Sequence, residues 1–282
     1  MIAITGATGQ LGQLVIEQLL NTVPANQIVA IVRNPAKAEA LSQQGITVRQ
    51  GDYADESTMT SALKGVDKLL LISSSEVGQR ATQHQNVINA AKAAGVKFIA
   101  YTSLLHADKS PLGLHVEHVA TEKALAESGI PYALLRNGWY TENYLASAPS
   151  ALEHGVFIGA AGEGKIASAT RADYAAAAAK VISGDGHAGN VYELAGDHAW
   201  TLSELAAELS KQSGKNVTYQ NMSEADFAAA LKGVGLPAGL AEMLADSDVG
   251  ASKGGLFDDS HTLSKLIGRP TTPLSESIKA IL

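Results

Sequence analysis

A glycine-spaced turn, Gly6-Ala7-Thr8-Gly9-Gln10-Leu11-Gly12, separates the apolar run Ile2 to Thr5 from a helical pattern. In that pattern Leu11, Leu14, Val15 and Leu19 recur at three- and four-residue steps. Strand, glycine turn, helix is the order that most restricts what this chain can fold into. Glycines let the backbone approach a pyrophosphate, whose charge meets the unpaired N–H groups and positive end of the helix. The spacing G-x-x-G-x-x-G differs from the G-x-G-x-x-G of most dinucleotide-binding chains, so its meaning comes from its context. A tight turn with no ligand is the alternative.

The alternation continues. Strands are expected at Ile28 to Val32, Ile46 to Arg49, Val66 to Ile72, Val96 to Thr102 and Tyr132 to Arg136. Helices are expected between them at Pro35 to Gln44, Asp55 to Lys64 with Asp55 as its cap, Gly78 to Ala94 and Leu112 to Ser128. Strands alternating with helices over short connections imply right-handed crossovers and a parallel sheet. The expected fold is α/β, a doubly wound, Rossmann-like parallel sheet with a smaller, mostly helical C-terminal lobe. Arg171 to Ser183 reads as a helix whose alanine run, Ala175 to Ala179, serves helix propensity. Asn190 to Ala195 reads as a returning strand. From Thr201 follow a helix, a strand at Val217 to Gln220, and helices broken near Gly233 to Gly239 and Gly250 to Gly255. These patterns divide the chain into a cofactor domain, 1–200, in which 138–165 contribute to a cleft, and a substrate lobe, 201–282.

Composition excludes several classes. With no cysteine there is no thiol nucleophile, thiolate metal site or disulfide framework. A net charge of −7 gives no global pull toward nucleic acid or anionic membrane. Apolar runs such as Leu69 to Ile72 are far short of the ~20 residues of a membrane span. We expect a cytoplasmic protein, monomer or homodimer, with no nucleic-acid or membrane partner.

The residue that selects the cofactor lies at the end of the second strand, where an acid would bond the ribose 2′-hydroxyl of NAD. Arg33 stands there, and no Asp or Glu follows before Glu39. A guanidinium suits a 2′-phosphate through a charge-assisted, bidentate contact. The expected cofactor is therefore NADP(H), with NADH possible at lower affinity. Asp52, after the third strand, is placed either to meet an adenine amino group or simply to form a turn.

The chemistry that is missing is as informative. No tyrosine has a lysine four residues on, so the Tyr-x-x-x-Lys acid of alcohol dehydrogenases is absent. Lys123 is the nearest candidate, but Val119 precedes it by four. His115, His118 and Glu122 share a helix face, yet nothing supplies a fourth ligand, and no metal is expected. Gly250-Ala-Ser252-Lys-Gly254 fits G-x-S-x-G without the strand that a nucleophile elbow needs. Gly159 to Lys165 has phosphate-loop spacing but Ile166 where Ser or Thr must bind Mg²⁺. We expect a glycine-rich turn at the cofactor's edge there, and no dedicated catalytic side chain anywhere. Trp139, Tyr140 and Tyr144 could stack on a flat ring or fill core. Small residues, Ser73, Ser74, Ser75 and Ala169, line the expected approach to the nicotinamide.

Taken together, the N-terminal turn, Arg33-Asn-Pro, Gly51-Asp52-Tyr53, Leu69-Leu-Leu-Ile-Ser-Ser-Ser75 and Leu135-Arg-Asn-Gly-Trp-Tyr140 resemble the NmrA-like branch of atypical short-chain dehydrogenases. The likeness runs over essentially the whole chain. It is nearest to the bacterial NAD(P)H:quinone oxidoreductases, with triphenylmethane-dye reductases close by. The resemblance implies NADPH contacts from Gly6, Ala7, Thr8, Gly9, Gln10 and Leu11, and from Arg33. It adds Ser75, Glu76 and Val77 with Arg80, then Asn143, and Ser168, Ala169, Thr170, Arg171, Ala172 and Asp173. The expected activity is hydride transfer from nicotinamide to a small-molecule quinone, which needs no dedicated acid because the acceptor is already electrophilic. Two alternatives share these residues: a non-catalytic NADP(H) redox sensor of the NmrA type, and a reductase of another conjugated acceptor such as a cationic dye.

Overall fold

The computed structural model describes residues 1–282. The chain opens with β1 (Ile2–Ile4), α1 (Gln10–Leu19), β2 (Ile28–Val32), α2 (Glu39–Gln43), β3 (Thr47–Gln50) and α3 (Glu56–Ala62). It continues through β4 (Lys68–Leu71), α4 (Arg80–Ala94), β5 (Phe98–Leu104), α5 (His115–Ser128) and β6 (Tyr132–Asn137). Next come α6 (Thr141–Leu145), α7 (Ala148–His154), β7 (Val156–Gly159), α8 (Arg171–Ser183) and β8 (Val191–Leu194). The last elements are α9 (Leu202–Ser213), β9 (Thr218–Asn221), α10 (Glu224–Gly233), α11 (Ala238–Ser252), α12 (Thr262–Ile267) and α13 (Leu274–Lys279).

Seven strands form one parallel sheet in the order β3-β2-β1-β4-β5-β6-β8, the doubly wound arrangement expected. Ile2 of β1 lies opposite Ile28 on one side and Lys68 on the other. All of β2 is buried, as a strand covered by helices on both faces must be. The strand order reverses between β1 and β4, the place where such sheets open a crevice at their C-terminal ends. Thr5 holds that seam. Its Oγ1 donates to the Leu70 carbonyl at 3.1 Å and accepts the Ile72 N–H at 3.0 Å.

Two compact units divide the chain, and they interleave. Unit 1 comprises 1–104, 116–137 and 171–192; unit 2 comprises 105–115, 138–170 and 193–282. The sequence pattern places a single boundary after residue 200. The difference arises because chain leaving the C-terminal ends of β5 and β6 enters unit 2 before returning to unit 1.

In unit 1, α1 packs against α8. Buried on α1 are Leu11, Gly12, Val15, Ile16 and Leu19, and on α8 Ala175, Ala177, Ala178 and Ala179. The alanine run is thus a packing surface, since methyl-sized side chains let two helices approach closely. Asp55 caps α3, accepting the Ser57 and Thr58 N–H groups. The helix expected over Pro35 to Gln44 is split. Asn34 accepts the Ala36 N–H and starts a 3₁₀ turn, Pro35–Ala38, before α2.

Unit 2 holds a two-stranded parallel sheet, β7 beside β9, with Val156 opposite Thr218. The sequence pattern showed β9 but not β7, which is four residues long and ends in glycine. The breaks expected here are present: residues 234–237 separate α10 from α11, and α11 ends at Ser252, just before Gly254 at φ +82°. A Cβ on Gly250 would come within 2.6 Å of Leu112, so this glycine serves close packing. No helix is long and apolar enough to cross a membrane.

Candidate functional site

The C-terminal end of β1 leads into Gly6 at φ +59°, a left-handed conformation that glycine adopts without cost. The Gly6 carbonyl accepts the Gly9 N–H at 2.9 Å, closing the turn. Gly9 then begins α1 with no side chain capping it and no acid in the first turn. The first N–H groups of this helix therefore face outward with a partial positive charge and want an anion. A Cβ on Gly12 would lie 2.3 Å from the Gly6 carbonyl oxygen and 2.9 Å from the Ala7 Cα. The cradle exists only because that atom is missing, and its donors fit a pyrophosphate.

Beyond β4, the loop Ser73–Gln79 is pinned from beneath by side chains of β5, α4 and α5. Thr102 accepts the Ser73 N–H at 2.8 Å, and His84 Nε2 accepts the Ser74 N–H at 2.9 Å. Arg80 donates from Nε to the Ser74 carbonyl. Glu117 Oε1 accepts both the Gly78 and Arg80 N–H groups at 3.0 Å. Burial, with the Arg80 charge nearby, pushes the His84 imidazole down to about 3, so this ring is neutral and can accept. Its other nitrogen lies 2.9 Å from Thr121 Oγ1. The sequence singled out none of Thr102, His84, Glu117 or Thr121, because their role is set by contacts between distant elements.

Arg33, Glu76 and Arg80 meet at the ends of β2 and β4. Arg33 Nη1 donates to Glu76 Oε1 at 2.8 Å, joining the end of β2 to the loop after β4. Ser75 and Val77 flank Glu76, and Val77 is half exposed. Arg80 is buried, with Nη1 4.0 Å from Glu117 Oε2. Arg171, Ala172 and Asp173 form the first turn of α8, with Asp173 fully buried. Asp52 uses its Oδ1 to accept the Ala54 N–H at 2.9 Å, the turn role. Tyr53 donates to the Ile72 carbonyl at 2.7 Å.

In unit 2, Ser168, Ala169 and Thr170 lie along the segment that starts α6. Tyr140 and Ala169 form an isolated bridge, and the Thr141 N–H donates to the Ala169 carbonyl at 3.0 Å. Ser168 and Thr141 hydroxyls meet at 2.7 Å. Asn143 sits in the first turn of α6, its N–H donating to the Tyr140 carbonyl. Of the three aromatic candidates, Trp139 and Tyr144 are core, and Tyr144 packs edge-on against Trp200 at 5.2 Å. Tyr140 alone keeps partial exposure.

The remaining constellations are spoken for. His118 Nδ1 bonds the Tyr101 hydroxyl at 2.7 Å, whereas Glu122 takes Ser103 Oγ at 2.6 Å and Arg136 through two nitrogens. His115 belongs to unit 2. Ser252 closes a helix, with no strand before it. The Gly159–Lys165 turn gives its N–H groups to protein partners, Ala160 to Asp248 and Gly162 to Asn221. Burial raises the Asp248 carboxyl to about 6. Lys123 is largely exposed, 3.8 Å from Glu127 one turn on.

Known proteins resemble this chain over nearly its whole length. Quinone oxidoreductase 2 of Escherichia coli (strain K12) is 82% identical over 278 residues, 99% of this chain and 97% of that protein. A crystal structure of an NADPH-dependent quinone oxidoreductase from Escherichia coli, complexed with NADPH, superposes with a TM-score of 0.98. It is 81% identical and covers 100% of this chain and 99% of its own. The triphenylmethane reductase of Citrobacter sp., complexed with NADP(H), is 44% identical with a TM-score of 0.96 over the whole of both chains. The NmrA-like family model matches residues 1–276, and with a doubly wound sheet, a glycine cradle at the β1–β4 switch point and these relatives, the chain belongs to the NmrA-like family.

Proposed function

We propose that this protein is an NADPH-dependent quinone oxidoreductase. The observation that carries the reading is the uncapped N-terminus of α1 behind the Gly6–Gly12 cradle, in a chain 82% identical to a quinone oxidoreductase. In this reading Gly6 to Leu11 hold the pyrophosphate and Arg33 takes the 2′-phosphate. Ser75 to Val77 with Arg80, then Asn143 and Ser168 to Asp173, complete the cofactor contacts. Bound NADPH supplies a hydride from nicotinamide C4. The chain's own part is to bind and orient, because the loop Ser73–Gln79 is held rigid by His84, Thr102 and Glu117. No side chain need deliver a proton: with the hydride transferred, the reduced quinone takes up its one remaining proton from water, so the missing Tyr-x-x-x-Lys acid is no obstacle. The reading includes a cytoplasmic protein, monomer or homodimer.

The test is single-turnover oxidation of NADPH by small benzoquinones and naphthoquinones, with deuterium at the transferred C4 position. The expected result is protein-dependent oxidation that slows with the label. If the protein adds nothing to the unaided rate across the panel, the enzyme reading fails and a cofactor-sensing role replaces it.

A further inference from the structure

Sequence position alone puts an arginine, and no acid, where a dinucleotide fold meets the adenosine ribose. Folding puts a carboxylate there after all. Glu76 Oε1 accepts from Arg33 Nη1 at 2.8 Å, and its Oε2 accepts from Gln83 Nε2 at 2.8 Å. Its own N–H donates to Ser74 Oγ at 3.1 Å. Main chain and both carboxylate oxygens are thereby fixed. The Arg33 and Glu76 side chains are 69% and 45% exposed, so the pair sits in water, open to exchange, and adds little to stability.

In such folds an acid reads a ribose 2′-hydroxyl and an arginine reads a 2′-phosphate. Here one loop presents the arginine and another, 43 residues later, presents the acid beside it. A carboxylate 2.8 Å from the guanidinium is within reach of whatever the guanidinium grips. We infer that Glu76 is the residue that limits cofactor specificity: it accepts the 2′-hydroxyl of NADH and repels the 2′-phosphate of NADPH. Arg33 favours NADPH, Glu76 opposes that preference, and the protein uses both cofactors. Two like unit charges about 4 Å apart in bulk water change an equilibrium about fivefold, which sets the scale. This inference rests on the reading that the adenosine ribose lies at the end of β2.

The experiment titrates NADPH, NADH and adenosine 2′,5′-bisphosphate into the full-length protein by calorimetry. Glu76→Gln keeps the shape and an acceptor for Gln83 but removes the charge. NADPH and the bisphosphate should then bind about three- to tenfold tighter, and NADH about three- to tenfold weaker. The gain for the phosphorylated ligands should shrink at high salt. Glu76→Ala, with thermal midpoints for both variants, guards against a folding defect. An unchanged NADPH-to-NADH ratio, or equal weakening of both as a mere support for Arg33 would give, overturns the inference. Arg33→Ser separates the two levels. If it abolishes bisphosphate binding while Glu76→Gln leaves the ratio alone, the inference falls and the cofactor reading stands. If neither variant changes any of the three ligands, the ribose is elsewhere and both fall.

Discussion

His84 Nε2 lies 2.9 Å from the Ser74 amide nitrogen, ten residues earlier, and accepts its N–H. The imidazole proton is then on Nδ1, facing Thr121 Oγ1, which itself donates to the Glu117 carbonyl at 2.9 Å. A charged ring could not accept, so protonation and the loop Ser73–Gln79 exclude one another. Burial first, and then the Arg80 charge, push both His118 and His84 down to about 3. An unfolded histidine titrates near ~6.5. Below that pH the unfolded chain takes up two protons that the fold refuses. Stability from this source is complete above pH ~6.5 and drains away as pH falls toward 3. Asp248, raised to about 6, acts in the opposite sense between its folded value and the ordinary carboxylate range, but it is one group against two. Urea midpoints from pH 7.5 to 4 should therefore fall, and His84→Asn, whose amide oxygen can take the Ser74 N–H, should flatten the fall. A midpoint that holds steady over this range refutes the account.

The cradle should not tolerate a methyl group at position 12. Gly12→Ala sets a Cβ 2.3 Å from the Gly6 carbonyl oxygen, so backbone must move in the turn that α1 opens from. Overpacking of this kind costs about 1–3 kcal/mol. Thermal melts should show that loss, and NADPH should restore less of it than it does for the unaltered protein. Full rescue by NADPH would show that the turn is not the pyrophosphate site.

Arg33 should set the sign of cofactor preference. A charge-assisted bond to the 2′-phosphate is worth ~1.5–3 kcal/mol, and the neighbouring Glu76 carboxylate holds the net preference toward the lower end. Arg33→Ser should erase most of the difference between NADPH and NADH and spare NADH. Fluorescence titration decides it; equal affinities in the unaltered protein would defeat the assignment.

Lys123 should be dispensable. Its side chain is 74% exposed and pairs with Glu127 at 3.8 Å, an arrangement of a solvated helix face. Lys123→Ala should leave quinone turnover at saturating NADPH within about tenfold, below the ~10²–10⁴ lost with a general acid. A larger loss, with the fold intact, would give the lysine an essential role.

The sequence by itself determined the α/β class, most element positions and the glycine turn, because periodicity and turn chemistry act over a few residues. Gly6 needs only its own φ of +59° to be legible, and Asp55 caps the helix it directly precedes. Arg33 could be placed at the end of β2 by counting. What it faces could not. Glu76 reaches it across 43 residues because β1 lies between β2 and β4, and strand order is settled by packing over the whole sheet. The same holds for Thr102 and Glu117, which meet the loop after β4 from 29 and 39 residues away. Tertiary structure also made the alanine run a contact surface, set Gly250 in close approach to Leu112, and interleaved the two units. Each of these depends on which elements become neighbours, and neighbours across a folded chain are chosen by the burial of the whole, not by any local run of residues.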